Sequence, residues 1–513
     1  MKTNRNAGYL YLLSFLEGGC VMASELIGAK MLAPYFGTSL YVWASALGIT
    51  LGGLMVGYFL GGFCSRRTSD NLSALYLVLI SAAAFLFLMP FTSRPVMTWA
   101  LGLPLQWGAS LSLLAFMFPP LVFMGMASPL IINVLTRDPK DAGRCAGNIY
   151  AISTLGGILA TFLFGFYIIP EFGISRPAMI SGLCLAILPS ISLLRRKRKV
   201  GGLAACLAMF LTLTFVPTPG MAHTSGGVIV YYSEGVMGQL KVIDRELPGD
   251  GEVMRSLMVN NTTQTTVLRD APLHHHFWPY SQLIEYLASA YSPGSHVLLL
   301  GMGGGTLVHS FEALGFQQDI VEIDQRIKDV AITYFGLHER YDVIIDDARH
   351  VVRMALPGRY DLIVYDVFKG ESAPHHILTQ EALGEVGRVL NADGALLINF
   401  YGYLDGDVGR LTRSVAKTLL NSGFELSIYM TPGLPDQRNS IMAAWRETQP
   451  SPFERSKLGR GEMRLAYDPG PRPLPHLGDA VVLTDDQPQL RLFANAAMQW
   501  RRLSNANLLS HVN

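Results

Sequence analysis

Val297-Leu298-Leu299-Leu300-Gly301-Met302-Gly303-Gly304-Gly305-Thr306-Leu307 runs from an apolar strand through a glycine-rich turn into a helix. This arrangement lets backbone approach a ligand closely. One Gly-x-Gly is a weak signal, because a merely tight turn reads the same way. The strands that follow strengthen it. The next strand, 318–323, ends in Val321-Glu322-Ile323-Asp324. An acid at the end of the second strand, about 20 residues past the glycines, can accept two hydrogen bonds from ribose hydroxyls. The third strand, 342–345, leads into Asp346-Asp347-Ala348, where a carboxylate can take an adenine amino group. The fourth, 362–365, leads into Asp366-Val367-Phe368. Taken singly, Asp324 or Asp347 also reads as a helix N-cap. Four strands in succession, each delivering a special turn to its carboxyl end, read as a nucleotide site in an open α/β sheet.

Working outward, helices are expected from Thr306, Gln325, Ala348, Thr379 and Gly409, alternating with those strands and with 395–400. The alternation predicts a doubly wound, mostly parallel sheet, closed by a hairpin at 425–429 and 440–445. Upstream, 228–232, 239–244 and 257–259 predict a small antiparallel sheet, followed by a loop and a helix within 270–291. Residues 447–480 are rich in proline and charge and read as irregular.

The first 223 residues differ in kind. Apolar runs at 8–32, 41–64, 72–91, 107–135, 148–170, 177–194 and 200–217 are long enough for about seven membrane crossings. The fourth carries Pro119, Pro120 and Pro129, so it is either kinked or two segments, and 92–106 reads as a short interfacial stretch. Gly53, Gly57 and Gly61 form a row that lets a neighbouring helix come close. With the N-terminus inside, 12 Lys and Arg fall in cytoplasmic loops against 3 on the other side. Seven crossings then put the C-terminal half outside the cytoplasm. Glu17 and Glu25, a little over two turns apart, are intramembrane carboxylates that suggest a cation path or amine site, or else a carboxylate paired within the bundle. All five cysteines lie in this half without ligand spacing.

Charge divides the same way. Residues 1–223 hold 15 Lys and Arg against 6 Asp and Glu, and the remainder 25 against 33. An acidic domain argues against nucleic acid and suits cations, polyamines among them. His274-His275-His276 alone makes a poor metal site, and no metal is indicated.

Residues from about 228 to 445 resemble the spermidine synthase family, the polyamine aminopropyltransferases. The resemblance implies a small β-sheet domain before a methyltransferase-like, Rossmann-type sheet. It also implies transfer of an aminopropyl group from decarboxylated S-adenosylmethionine to a polyamine, with no permanently bound cofactor. The whole chain is similar to bacterial proteins in which transporter-like helices are fused to such a domain, and Ala33-Pro34-Tyr35-Phe36-Gly37 is similar to a turn found there. Carried over by position, Gln239 matches a nucleotide-contacting Gln, and Gln264 a Gln closing an Asp-Gly-x-x-Gln turn whose first two residues are Asn260-Asn261 here. Glu322 matches the ribose acid, Asp347 the adenine acid and Asp366 the catalytic proton acceptor. Gly301, Gly303, Gly304, Gly305, Asp346 and Ala348 complete the expected donor site.

Three positions depart from the pattern. Gly304 stands where the family has an Asp that grips the donor's amine, Lys369 where it has a second, polyamine-holding Asp, and Tyr280 where it has His or Gln. The nucleoside grip is thus kept better than the amine grip, and amines are left to Asp346, Glu371 or tyrosines such as Tyr401 and Tyr403. The expected organisation is a helical membrane domain (1–223), a small β domain (224–270), the nucleotide-binding α/β domain (271–446) and an extension (447–513). The expected placement is a bacterial inner membrane, with lipid and a small amine as partners and a homodimer left open. Two other functions fit the same residues: an S-adenosylmethionine-dependent methyltransferase, favoured by Gly304, and a non-catalytic nucleoside or polyamine sensor or transporter, favoured by Lys369.

Overall fold

The structure is a computed structural model that describes residues 2–37, 40–103, 105–136, 138–195, 227–235, 237–247, 251–271, 276–368, 373–434, 438–447, 450–455, 470–487 and 489–509. The chain divides into two compact units, Met1–Ala222 with Tyr232–Gln239, and His223–Tyr231 with Leu240–Asn513.

The first unit is a bundle of apolar helices: α1 (Lys2–Phe36), α2 (Leu40–Arg67), α3 (Asn71–Ala100), α4 (Leu105–Phe116), α5 (Phe118–Leu135), α6 (Ala142–Leu163), α7 (Ile169–Phe172) and α8 (Ser175–Arg195). A π-helical turn, Phe164–Ile168, joins α6 to α7. Among the described residues six stretches are long and apolar enough to cross a membrane. The expected crossing at 200–217 lies outside the described residues.

The short interfacial stretch expected at 92–106 is corrected: α3 continues as helix through Pro90 and Pro95 to Ala100. The hydroxyls of Thr92 and Ser93 turn back along the helix and donate to the carbonyls of Leu88 and Pro90. The fourth run is two helices, broken at Met117 ahead of Pro119 and Pro120.

Small residues set the crossings. A Cβ added at Gly57 would stand 2.4 Å from the Val122 carbonyl oxygen, and one at Gly61 2.7 Å from that of Met126, so the predicted glycine row is where α2 meets α5. Gly18 and Gly156 bring α1 and α6 equally close. Glu17 and Glu25 are both buried, and Glu17 accepts a hydrogen bond from Ser153 Oγ at 3.2 Å. In the same unit Glu234 accepts from the N–H groups of Ile174 (2.8 Å) and Ser175 (2.9 Å), a carboxylate placed at the N-terminus of α8.

The second unit is built around two sheets. The strands β1 (Val228–Gly235), β2 (Gly238–Glu246), β3 (Val253–Val259) and β4 (Thr262–Leu268) form a four-stranded sheet in sequence order. The fourth strand is additional to the three read from sequence. Its polar run, Thr262-Thr263-Gln264-Thr265-Thr266, carries little apolar signal. Asn260 (φ 51°) and Asn261 (φ 64°) make the tight turn that joins it to β3. Asparagine tolerates the left-handed region that such a hairpin turn needs at both positions.

The larger sheet comprises β5 (His296–Leu300), β6 (Gln317–Glu322), β7 (Val343–Ile345), β8 (Tyr360–Tyr365), β9 (Leu390–Tyr401), β10 (Phe424–Met430) and β11 (Asn439–Arg446), in the order β10-β11-β9-β8-β5-β6-β7. The five strands from β9 to β7 are parallel, and the terminal hairpin adds two antiparallel strands. Strands buried on both faces read as continuous apolar runs, which is why Leu298–Leu300 and Leu362–Val364 are so uniform. From β5 the chain proceeds outward one way to β7, then returns to β8 on the other side. The switch point between β5 and β8 is where an open sheet binds ligands.

The extension is more structured than expected. Leu490–Leu509 is a helix that buries Phe493 and Ala496 in the α/β core. Asp485 pairs with Arg349 (2.7 Å) and accepts from Thr379 Oγ1 (2.7 Å), which fixes the segment before that helix.

Candidate nucleotide and transfer site

The glycine turn and Asp366 leave adjacent strands and touch. The Asp366 N–H donates to the Leu300 carbonyl at 2.9 Å. Gly301 has φ 87°, and a Cβ there would lie 2.2 Å from the Asp366 carbonyl oxygen. Glycine is therefore required on two grounds, conformation and space. The Asp366 carboxylate accepts from Asn399 Nδ2 (2.7 Å) and Tyr280 OH (3.3 Å). Asn439 Nδ2 donates in turn to Asn399 Oδ1 at 2.9 Å, which fixes the amide with its nitrogen toward the carboxylate. Burial pushes the Asp366 pKa up to about 6, although both hydrogen bonds favour the charged form. Tyr280 is raised well above the usual phenol range by burial and by the neighbouring Asp366.

Glu322 ends β6 buried, and its oxygens accept from the N–H groups of Ile323 (2.8 Å), Asp324 (3.1 Å) and Met302 (3.3 Å). The Met302 contact ties the acid to the glycine turn. Burial raises the Glu322 pKa despite those three donors. Across the turn the Gly304 N–H donates to Thr265 Oγ1 of β4 at 2.8 Å.

At the end of β7, Asp347 caps the helix Ala348–Met354, accepting from the N–H of Arg349, while its other oxygen meets His376 Nε2 at 2.9 Å. The acid expected to meet adenine is thus an N-cap. Asp346 is exposed enough to pair with His350 at 2.7 Å, a bond that lowers its pKa. Ala348 is buried beneath them.

Three further expected positions have partners of their own. Gln239 belongs with the first unit, where its amide donates to Tyr232 OH at 2.6 Å. Gln264 lies on β4 with its amide near the Thr262 carbonyl, 3.4 Å away. Tyr401 is a correction: it is 1% exposed, it packs against Phe368 and Trp500, and its hydroxyl accepts from the Ala373 N–H, so it builds core rather than an open amine contact. Lys369 and Glu371 lie outside the described residues, as do His274 and His275. His276 is not on an open loop. Its ring bridges Ser281 Oγ (2.9 Å) and the Glu285 carboxylate, both buried. Among the described residues no cluster of His, Cys, Asp and Glu suits a metal ion.

No family model matches the chain. It is 37% identical over 113 residues to an N-terminal histidine N-methyltransferase of Emericella nidulans, covering 21% of this chain and 20% of that one. It is 31% identical over 156 residues to a polyamine aminopropyltransferase of Vibrio vulnificus, covering 28% and 52%. It is 25% identical over 405 residues to polyamine aminopropyltransferase 2 of Streptomyces coelicolor, covering 74% and 69%. The chain is thus similar to several proteins named polyamine aminopropyltransferase. It spans a fifth of the first of these relatives and about half of the second. The 405-residue alignment is longer than everything after residue 226, so this likeness to an aminopropyltransferase runs into the helical unit as well.

The structure draws in two residues not singled out from sequence. Asn399 is the lone polar side chain in Ala395-Leu396-Leu397-Ile398-Asn399-Phe400, a visible signal that a buried partner exists. Thr265 had none, because β4 is polar throughout.

Proposed function

We propose that the second unit transfers an aminopropyl group from decarboxylated S-adenosylmethionine to an amine, a step of polyamine synthesis, with Asp366 as proton acceptor. The observation that carries this reading is a part-buried Asp366 at the switch point, whose backbone abuts the glycine turn and whose carboxylate is held by Asn399 and Tyr280. With a pKa of about 6, Asp366 is ionised at neutral pH yet basic enough to take a proton.

In the proposed step an acceptor ammonium loses a proton to Asp366. Its lone pair forms a bond to the methylene carbon beside the sulfonium. The C–S bond breaks and its electrons stay on sulfur, leaving neutral methylthioadenosine. Glu322 holds the ribose and Asp347 the adenine, so the enzyme's main contribution is to align the two reactants. The six apolar helices support placing this domain on a membrane, in contact with lipid, and the loop charges support an extracytoplasmic position for it.

Methyl transfer from S-adenosylmethionine is the second reading, favoured by Gly304 and by the 113 residues shared with a methyltransferase. Product analysis separates the two. The full chain in detergent, given either donor and a panel of amines, yields methylthioadenosine on the first reading. S-adenosylhomocysteine as the product would establish the second and overturn the first.

A further inference from the structure

The glycine turn carries no acid, and the structure shows what fills the space instead. Thr265 is buried, and its hydroxyl takes up the Gly304 N–H at 2.8 Å. Its methyl group lies where a side chain at 304 would begin. A Cβ on Gly304 would stand 2.7 Å from Thr265 Cγ2 and 3.0 Å from Phe335 Cδ1. Position 304 is thus closed to an acid by a residue on another sheet, not merely lacking one.

The space beside the turn has matching chemistry. A cavity of about 120 Å³ opens between the end of β4, the start of the helix Thr306–Ala313 and the end of the helix Gln325–Phe335. Arg269, Gly304, Thr306, His309 and Tyr334 are among its lining residues, and among the described residues that line it none is a carboxylate. The nearest acids to Arg269, Asp270 at 3.3 Å and Asp244 at 4.0 Å, are engaged by that guanidinium. A cationic amine entering here finds no opposite charge in the wall, so nothing in this cavity favours a tail with net positive charge over a zwitterionic one.

We propose that Gly304 and Thr265 together determine donor specificity: Thr265 closes position 304, which leaves the donor site indifferent to the charge of the sulfonium's tail. The site then takes adenosyl sulfoniums as a class, the carboxylate-bearing S-adenosylmethionine as readily as its decarboxylated form. This rests on the reading of the glycine turn as an adenosyl-sulfonium site. It adds that the choice of donor is made by supply and by the transfer step, not by binding.

Calorimetry on the full chain in detergent tests it with three ligands: methylthioadenosine, which has no charged tail, and the two sulfoniums. Wild type is expected to bind the two sulfoniums within about threefold of each other. T265G/G304D, which clears the methyl and supplies the acid, is expected to gain at least about tenfold preference for the decarboxylated donor, the ordinary worth of one charge-assisted contact. T265G alone gains none. G304D alone, with the methyl still in place, weakens all three ligands together. A wild-type preference of thirtyfold or more for either sulfonium overturns the proposal while leaving the nucleoside site standing, as does a double variant that binds methylthioadenosine without discriminating. Failure of wild type to bind even methylthioadenosine overturns the site reading itself.

Discussion

Asn399 donates to Asp366 across the parallel β8–β9 pair, at 2.7 Å. The bond orients the carboxylate and bears on its ionisation, because it favours the charged form that burial disfavours. Asp366→Asn should therefore lower the rate of methylthioadenosine release by about 10²–10⁴-fold, the usual worth of a positioned proton acceptor. Methylthioadenosine binding should stay within about threefold, since the nucleoside is held elsewhere. Parallel loss of binding and rate would mean that Asp366 shapes the site rather than takes the proton.

The same carboxylate predicts two pH dependences of defined sign. Activity should fall as pH drops through about 6, where Asp366 takes up its proton. Removing the donor with Asn399→Leu should move that limb upward and cut the rate at pH 7. The stability effect runs the other way. A carboxyl whose folded pKa lies above its unfolded value binds protons more tightly when folded, so its contribution to stability is lost as pH rises through the folded value. Asp366→Asn should accordingly raise Tm over wild type at pH 8 and lose that advantage near pH 4. A Tm difference that does not change with pH would show that Asp366 is not perturbed.

Glu322, the proposed ribose acid, accepts three backbone N–H groups. Glu322→Gln keeps the shape but removes the charge and replaces one acceptor oxygen with a donor. Nucleoside affinity should fall by roughly tenfold to a hundredfold, one or two charge-assisted hydrogen bonds at 1.5–3 kcal/mol each. Equilibrium binding of methylthioadenosine checks this. An unchanged affinity would leave Glu322 as a brace between β6 and the turn.

The parallel sheet, its closing hairpin and the acids at the strand ends were legible in the sequence because each rests on local pattern: apolar runs, turn residues and caps. What was hidden depends on contacts between segments far apart in the chain. Thr265 reaches Gly304 from a strand with no apolar alternation, and Tyr401 reads as an available phenol until Trp500 is seen against it. The continuation of α3 through two prolines was missed for a related reason. Proline is a helix breaker in water, but helices packed in an apolar bundle tolerate it, and Pro90 and Pro95 both lie inside α3. The setting of His276 was hidden because its two partners, Ser281 and Glu285, become visible only once the helix Pro279–Ala288 is folded beside it.

That histidine carries the last prediction. His276 joins the chain entering the helix Pro279–Ala288 to two buried side chains of the helix itself, and Tyr280, which donates to Asp366, sits one residue before Ser281. His276→Ala leaves the Glu285 carboxylate buried without this partner, a loss of about 1–3 kcal/mol in stability. Because the helix also aims Tyr280, the variant should lower the rate as well, and by more than Tyr280→Phe, which removes one 3.3 Å bond and leaves the helix in place. Thermal unfolding gives the first effect, and methylthioadenosine release measured well below Tm gives the second. A metal role predicts a different pattern: wild-type activity would fall on chelation and return with added ion. Loss of stability in His276→Ala with chelator-resistant wild-type activity is the result expected of a clamp that sets the Tyr280–Asp366 geometry.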